Sequence, residues 1–214
     1  LEKDPRNIYL ARGPRVRLSA EMIRDQALAV SGLLSQTMHG PSVMPPQPDG
    51  IWKVIYSGKR WITPSGPDRY RRALYTYWRR SSPYPSFTTF DSPSREVCVV
   101  RRIRTNTPLQ ALVTLNDPVY TEAAAALANN MYRAGESDSA KIAWGYQQAL
   151  AHPIDEHQLP PLLTLLKESR QHYQSNPAGA AALSQNDVPE KSDLAAYTVV
   201  ANAIMNLDGF ITKE

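Results

Sequence analysis

The stretch TPLQALVTLNDPVYTEAAAALANNMYR, residues 107–133, carries two helix starts in close succession. Thr107 precedes Pro108, and Gln110 occupies the third helical position. In such a T-P-x-Q arrangement the threonine and glutamine side chains can satisfy the unpaired N–H groups of a first turn. Asp117–Pro118 repeats the cap-plus-proline signal directly after Asn116, so one helix ends there and a second begins. Leu109, Leu112, Val113 and Leu115 are expected to enter the core, and the alanines of the second segment permit close helix contact. The pair sets the fold class as mainly α.

Further helices follow on both sides. SDSAKIAWGYQQALAH has Ser137 as its cap and Ile142, Ala143, Tyr146 and Leu150 on one stripe. LPPLLTLLKESRQHYQS is amphipathic after Pro161, and SDLAAYTVVANAIMNLDGF ends in Gly209. Residues 176–191 read as a connector containing a short helix. Before residue 107, RVRLSAEMIRDQALAVSGLL offers Ser19 as a cap, with Glu21 and Asp25 near its positive end. Its core face is expected to hold Met22, Ile23, Ala27, Val30 and Leu34, and Gly32 offers a stop. Residues 107–214 thus form the helical portion of a single domain spanning 1–214, whose opening LEKDPRN is expected to lie inside a truncated domain.

Residues 39–66 are expected to be an irregular insertion. HGPSVMPPQPDGIW, residues 39–52, holds Pro41, Pro45, Pro46 and Pro48 with Gly40 and Gly50, which excludes a regular helix or central strand. Val43, Met44 and Trp52 can anchor it as an ordered loop. IWKVIYSG and KRWITPSG resemble two short strands about a turn at Ser57–Gly58, a small β-hairpin. PDRYRRALYTYWRRSS reads either way. Pro67 suits a first helical turn while YTYW favours a strand; a helix over 67–78 is preferred. PYPSFTTF is read as irregular, and VCVV as a short buried strand with Cys98 acting as a small hydrophobe.

The chain has 214 residues, 42% of them hydrophobic and 21% charged, with a formal net charge of +4. The balance is uneven, +9 over residues 1–134 and −5 over 135–214, which an internal contact between a basic and an acidic part would explain. Nucleic acid is not an expected partner of so moderate a charge. One cysteine excludes an intrachain disulfide, and no apolar run is long enough to span a bilayer.

Motifs for chemistry are scarce. His152 and His157 stand near Asp155 and Glu156 but lack a metal-binding spacing, and C-x-x-C-H, G-x-S-x-G, P-loop and G-x-G-x-x-G patterns are absent. No catalytic residue, cofactor or metal ligand is assigned, and this segment is read as noncatalytic. Arginines carry the remaining signal: Arg69, Arg71, Arg72, Arg79, Arg80, Arg95, Arg101, Arg102 and Arg104, interleaved with Tyr70, Tyr75, Tyr77, Trp78, Tyr84, Phe87 and Phe90. They could line an aromatic, cationic groove for an acidic ligand. The preferred reading is that their forked donors clamp irregular loops to the helical body, Arg101 and Arg104 first among them.

Taken in order, DPRNIYLARGPRVRLSAEMIRDQALAVSGLL, GPSVMPPQPDGIW, YRRALYTYWRR, FDSPSREVCVVRRIRTNTPLQALVTLNDP and ANAIMNLDGFITKE resemble the C-terminal PSD1/DUF1553 domain of planctomycete-type secreted proteins. The resemblance implies a parent chain with upstream domains, a cytochrome-c-like one among them. It implies export to the periplasm, envelope or extracellular space, and haem held elsewhere in the parent. It carries no catalytic set. The expected role is a structural or partner-docking domain that meets its upstream domains or another envelope protein. Trp52, Tyr75, Trp78, Arg101 and Arg104 are the candidate binding or docking residues. The alternatives are acidic or sulfated polysaccharide binding, and an accessory part of a polysaccharide-degrading or haem-linked redox enzyme.

Overall fold

A computed structural model describes residues 4–11, 13–52, 60–184 and 191–213. Its helices are α1 (Ala20–Ser31), α2 (Pro85–Thr89), α3 (Pro108–Asn116), α4 (Pro118–Arg133), α5 (Asp138–Leu150), α6 (Leu159–Ser175), α7 (Pro177–Ser184), α8 (Lys191–Met205) and α9 (Asp208–Ile211). Two short strands, β1 (Val16–Arg17) and β2 (Thr212–Lys213), pair antiparallel with Val16 opposite Lys213, joining the two ends of the described chain. The hairpin expected about Ser57–Gly58 lies outside the described residues. The mainly α class holds.

Local signals place the helix starts. Ser19, Asp117 and Ser137 accept from the backbone N–H groups of Met22, Val119 and Ala140. Each satisfies a donor that the first turn leaves unpaired. Gly32 ends α1 at φ 79°, a left-handed conformation that a Cβ would strain. Packing then builds outward from α4 and α8. Ala123, Ala124, Ala125 and Ala128 of α4 and Ala195, Ala196 and Ala201 of α8 are buried, so the two backbones approach closely. Around this pair stand α1, α5, α6 and α7. At Gly145 of α5 a Cβ would fall 2.5 Å from Met131 Sδ, so glycine sets how near α5 comes to α4.

The core face of α1 differs from expectation. Ile23, Ala27 and Leu28 are buried, but Met22 is exposed and the buried set includes Arg24. Residues 67–78 do not form a helix. They make two 3₁₀ turns, Gly66–Tyr70 and Ala73–Tyr75, with Arg71 extended between them. Arg71 and Thr76 instead bridge Ser35 and Val43, exchanging helical bonds for contacts with the end of the α1 segment and with the Pro-rich loop. PYPSFTTF, in contrast, yields α2.

That loop is ordered by long-range contacts. The Val43 N–H donates to the Tyr75 carbonyl at 2.8 Å, and the Tyr77 N–H to the Val43 carbonyl at 2.7 Å. Trp61 Nε1 donates to the Pro45 carbonyl at 2.7 Å, and the Tyr84 hydroxyl to that of Pro46 at 2.5 Å. Prolines lack N–H groups but keep their carbonyls, and these carbonyls are what the aromatic residues hold. Trp52, Trp61, Tyr77, Tyr84 and Phe87 form a continuous chain of ring contacts beneath the loop.

Among the described residues the ion pairs fall mostly within each part. Arg15 and Arg17 meet Asp208 across the divide. Arg69–Glu122, Arg72–Asp25 and Arg102–Glu21 stay inside the basic part, and Arg170 pairs with Asp138 and Asp193 inside the acidic one.

Candidate functional site

Two expectations for residues 97–115 are overturned. VCVV is not a buried strand: Val97, Val99 and Val100 are exposed, as is Cys98. Asp91 is the reason. Its carboxylate accepts from the Thr105 N–H at 2.6 Å and the Thr105 hydroxyl at 2.9 Å, closing the intervening residues into one surface loop. The loop's ends are tied to each other, so its valines have no neighbouring strand to join.

The second reversal is the orientation of α3. Leu109, Leu112 and Leu115 are 65%, 54% and 41% exposed, while Gln110 and Thr114 are buried. Gln110 Nε2 donates to the Thr89 carbonyl at 3.0 Å, and its Oε1 accepts from Arg17 at 2.6 Å. The Thr114 hydroxyl donates to Asn206 Oδ1 at 2.6 Å, and Asn202 Nδ2 donates to the Thr114 carbonyl at 3.2 Å. A satisfied polar face can be buried at little cost, and here it turns the leucines outward. Gln110 therefore does not cap the helix, and no side chain caps Thr107's turn. The leucine stripe runs into a groove of about 390 Å³, lined by Leu115 with Leu165, Leu183, Val199, Asn202 and Ala203.

Beside the surface loop lies a cleft of about 770 Å³ lined by Arg15, Val16, Arg17, Arg101, Arg102, Ile103 and Arg104. Arg102 Nη1 donates to Glu21 at 2.7 Å, and Arg104 donates to the Arg17 carbonyl. Arg101 makes no hydrogen bond or ion pair to the described residues. Burial works against ionisation of Glu21, yet the Arg102 guanidinium and nearby donors hold its pKa below the usual value.

Of the five residues singled out from the sequence, only Arg101 and Arg104 share a site, the arginine cleft. Trp52 is buried in the aromatic chain, with Arg79 5.4 Å from its ring centre. Tyr75 lies under Arg71 at 3.8 Å and accepts from the His39 N–H at 2.7 Å. Trp78 lies under Arg95 at 4.4 Å. Tyr84, Phe87 and Phe90 are buried, and among the described residues no aromatic ring lines the arginine cleft.

Clamping is carried most deeply by two arginines. Arg71 Nη1 donates to the Pro41 carbonyl at 2.9 Å and Nη2 to that of His39, pinning the Pro-rich loop. Arg24, 1% exposed, donates to the Arg71 carbonyl at 2.7 Å. Arg24 was missed in the sequence, although it interrupts the apolar stripe between Ile23 and Ala27. Arg15 and Arg17 were missed too; the alternation R-V-R, residues 15–17, is the signal that places both on one side of a strand. A second unforeseen network joins α5, α6 and α8: Arg170 binds Asp138 in a two-point grip, and the Tyr197 hydroxyl donates to Asp138 at 2.7 Å. Among the described residues no three His, Cys, Asp or Glu side chains gather as a metal site, and no helix is long and apolar enough to cross a membrane.

A mainly helical domain with an arginine-lined cleft and an outward leucine face is the class these features define. Residues 1–166 match the family model PSD1, described as a protein of unknown function (DUF1553), and the chain belongs to that family. No curated protein and no solved structure matches it.

Proposed function

We propose that this is a noncatalytic docking domain of a larger exported, multidomain protein, and that another domain of the same parent chain covers its leucine face. The carrying observation is the orientation of α3, with Leu109, Leu112 and Leu115 turned away from the core. Val97, Val99 and Val100 add exposed apolar side chains within the preceding loop. Large apolar groups concentrated in one segment mark interaction surfaces, whereas isolated ones do not. Each leucine covered on docking contributes roughly 1 kcal/mol, since about half of its surface is already covered. The groove beyond Leu115 would receive an apolar side chain of the partner domain. Export and the upstream, cytochrome-c-like neighbour are supported by the resemblance of the ordered sequence blocks.

The test is to produce this domain and the remainder of its parent chain separately and measure their association by calorimetry. Association that Leu112→Glu abolishes, with the variant still folded, is expected. No association, or association unaffected by Leu112→Glu, would overturn the reading.

A further inference from the structure

The arginine cleft is separate from the leucine face in chemistry and has no role in the docking reading. Five guanidinium groups from two distant segments converge there: Arg15 just before β1 and Arg17 within it, and Arg101, Arg102 and Arg104 on the surface loop. Among the described residues, Asp208 stands beside Arg15 and Arg17, and Glu21 beside Arg102. Arg104 binds a neutral carbonyl, which leaves its charge uncompensated. Arg101 and Arg104 have no carboxylate partner among the described residues, so positive charge concentrates at this side of the cleft and favours an anion there.

The arrangement is also held in advance. Arg17 is fixed by Gln110 at 2.6 Å, itself buried and bonded to the Thr89 carbonyl. The backbone of β1 is fixed by its pairing with β2, and Arg104 is anchored to the Arg17 carbonyl, so the two segments keep their spacing. Groups positioned before binding lose little freedom when a ligand arrives.

From this geometry we infer that the cleft binds a compact polyanion, one molecule bearing two or more sulfate, phosphate or carboxylate groups. Guanidinium forks match the oxygens of all three. A cleft of about 770 Å³ is far larger than one oxyanion requires, and five arginines exceed what one could engage. Val16 and Ile103 provide the apolar lining, and among the described residues no ring offers a stacking surface. The ligand is thus recognised through its charges and not through a planar base.

Isothermal titration of the protein at low salt with tripolyphosphate, a trisulfated disaccharide and citrate tests this. Saturable binding of one ligand per chain is expected for at least one probe, at least tenfold tighter than inorganic phosphate. The strongest arm assigns the source, and equal binding means recognition by charge alone. Arg101→Gln with Arg102→Gln should weaken binding at least tenfold while Arg80→Gln, outside the cleft lining, leaves it unchanged. Arg101→Gln alone, which removes no bond to the described residues, should weaken it in the same direction with an unaltered melting curve. Absence of saturable binding, binding indifferent to these changes, or equal loss in Arg80→Gln would overturn the proposal.

Discussion

Gln110 accepts a hydrogen bond from Arg17 at 2.6 Å across 93 residues of sequence, and this contact helps to orient α3 while fixing a wall of the arginine cleft. Gln110→Leu keeps the bulk but strands the Thr89 carbonyl and takes from Arg17 its closest acceptor. It should lower stability by roughly 1–3 kcal/mol, as losing a partner of buried polar groups does. Denaturant unfolding measures this, and a midpoint equal to the parent's would show that Gln110 does not hold the helix.

Arg71 and Arg101 should behave as opposites. Arg71→Ala removes charged donors from the Pro41 and His39 carbonyls and is expected to cost roughly 2–3 kcal/mol. Arg71→Lys should recover little, because an ammonium cannot span two carbonyls as a planar fork does. Arg101→Ala should melt like the parent, and Arg104→Ala should fall between the two. Thermal melts of all four variants decide it.

The direction in which α3 faces is open to a stability test independent of any partner. Leu112→Glu places a charge in solvent and should leave the unfolding midpoint unchanged. Leu127→Ala, in the centre of α4, should cost roughly 2–5 kcal/mol through the cavity it opens. Comparable losses in the two variants would mean that the leucine stripe faces inward.

Acid should first strengthen and then weaken the fold. Burial pushes the Asp117 carboxyl up to about 6, against the Val119 N–H and the nearby Arg24 that favour its charge. The folded state therefore binds this proton more tightly than the unfolded chain, whose aspartates titrate near ~4. The resulting stability is complete below that value and is lost as pH rises through 6. Asp138 works in the opposite sense. The Arg170 grip, opposed by burial and aided by Tyr197, holds its pKa down to about 2, so its contribution exists above ~4 and disappears as pH falls toward 2. Stability should rise between pH 7 and 4.5 and decline below, and Asp117→Asn should abolish the rise. A flat wild-type profile over pH 4.5–7 would contradict the burial of Asp117.

Much of the architecture was legible in the residues themselves. The caps at Ser19, Asp117 and Ser137, the stop at Gly32 and the paired starts at Pro108 and Pro118 all appear where local chemistry puts them. Such signals act within one helical turn, between groups that neighbour each other in any conformation close to the helix. Leucines at 109, 112 and 115 likewise announced one helical stripe. Spacing cannot say whether a stripe faces the core or a partner, and it was Thr89, Arg17 and Asn206 that drew the polar face inward. The same limit explains Cys98, held outside by a loop closed at Asp91, and residues 67–78, drawn from a helix into bridges with Ser35 and Val43. It explains the cleft as well, since Arg15 and Arg104 become neighbours only when the surface loop folds back over β1. Local sequence chose the helices because capping and backbone preference need no distant partner. The folded structure alone chose their faces, because burial and hydrogen bonding are settled by whichever residues arrive from elsewhere in the chain.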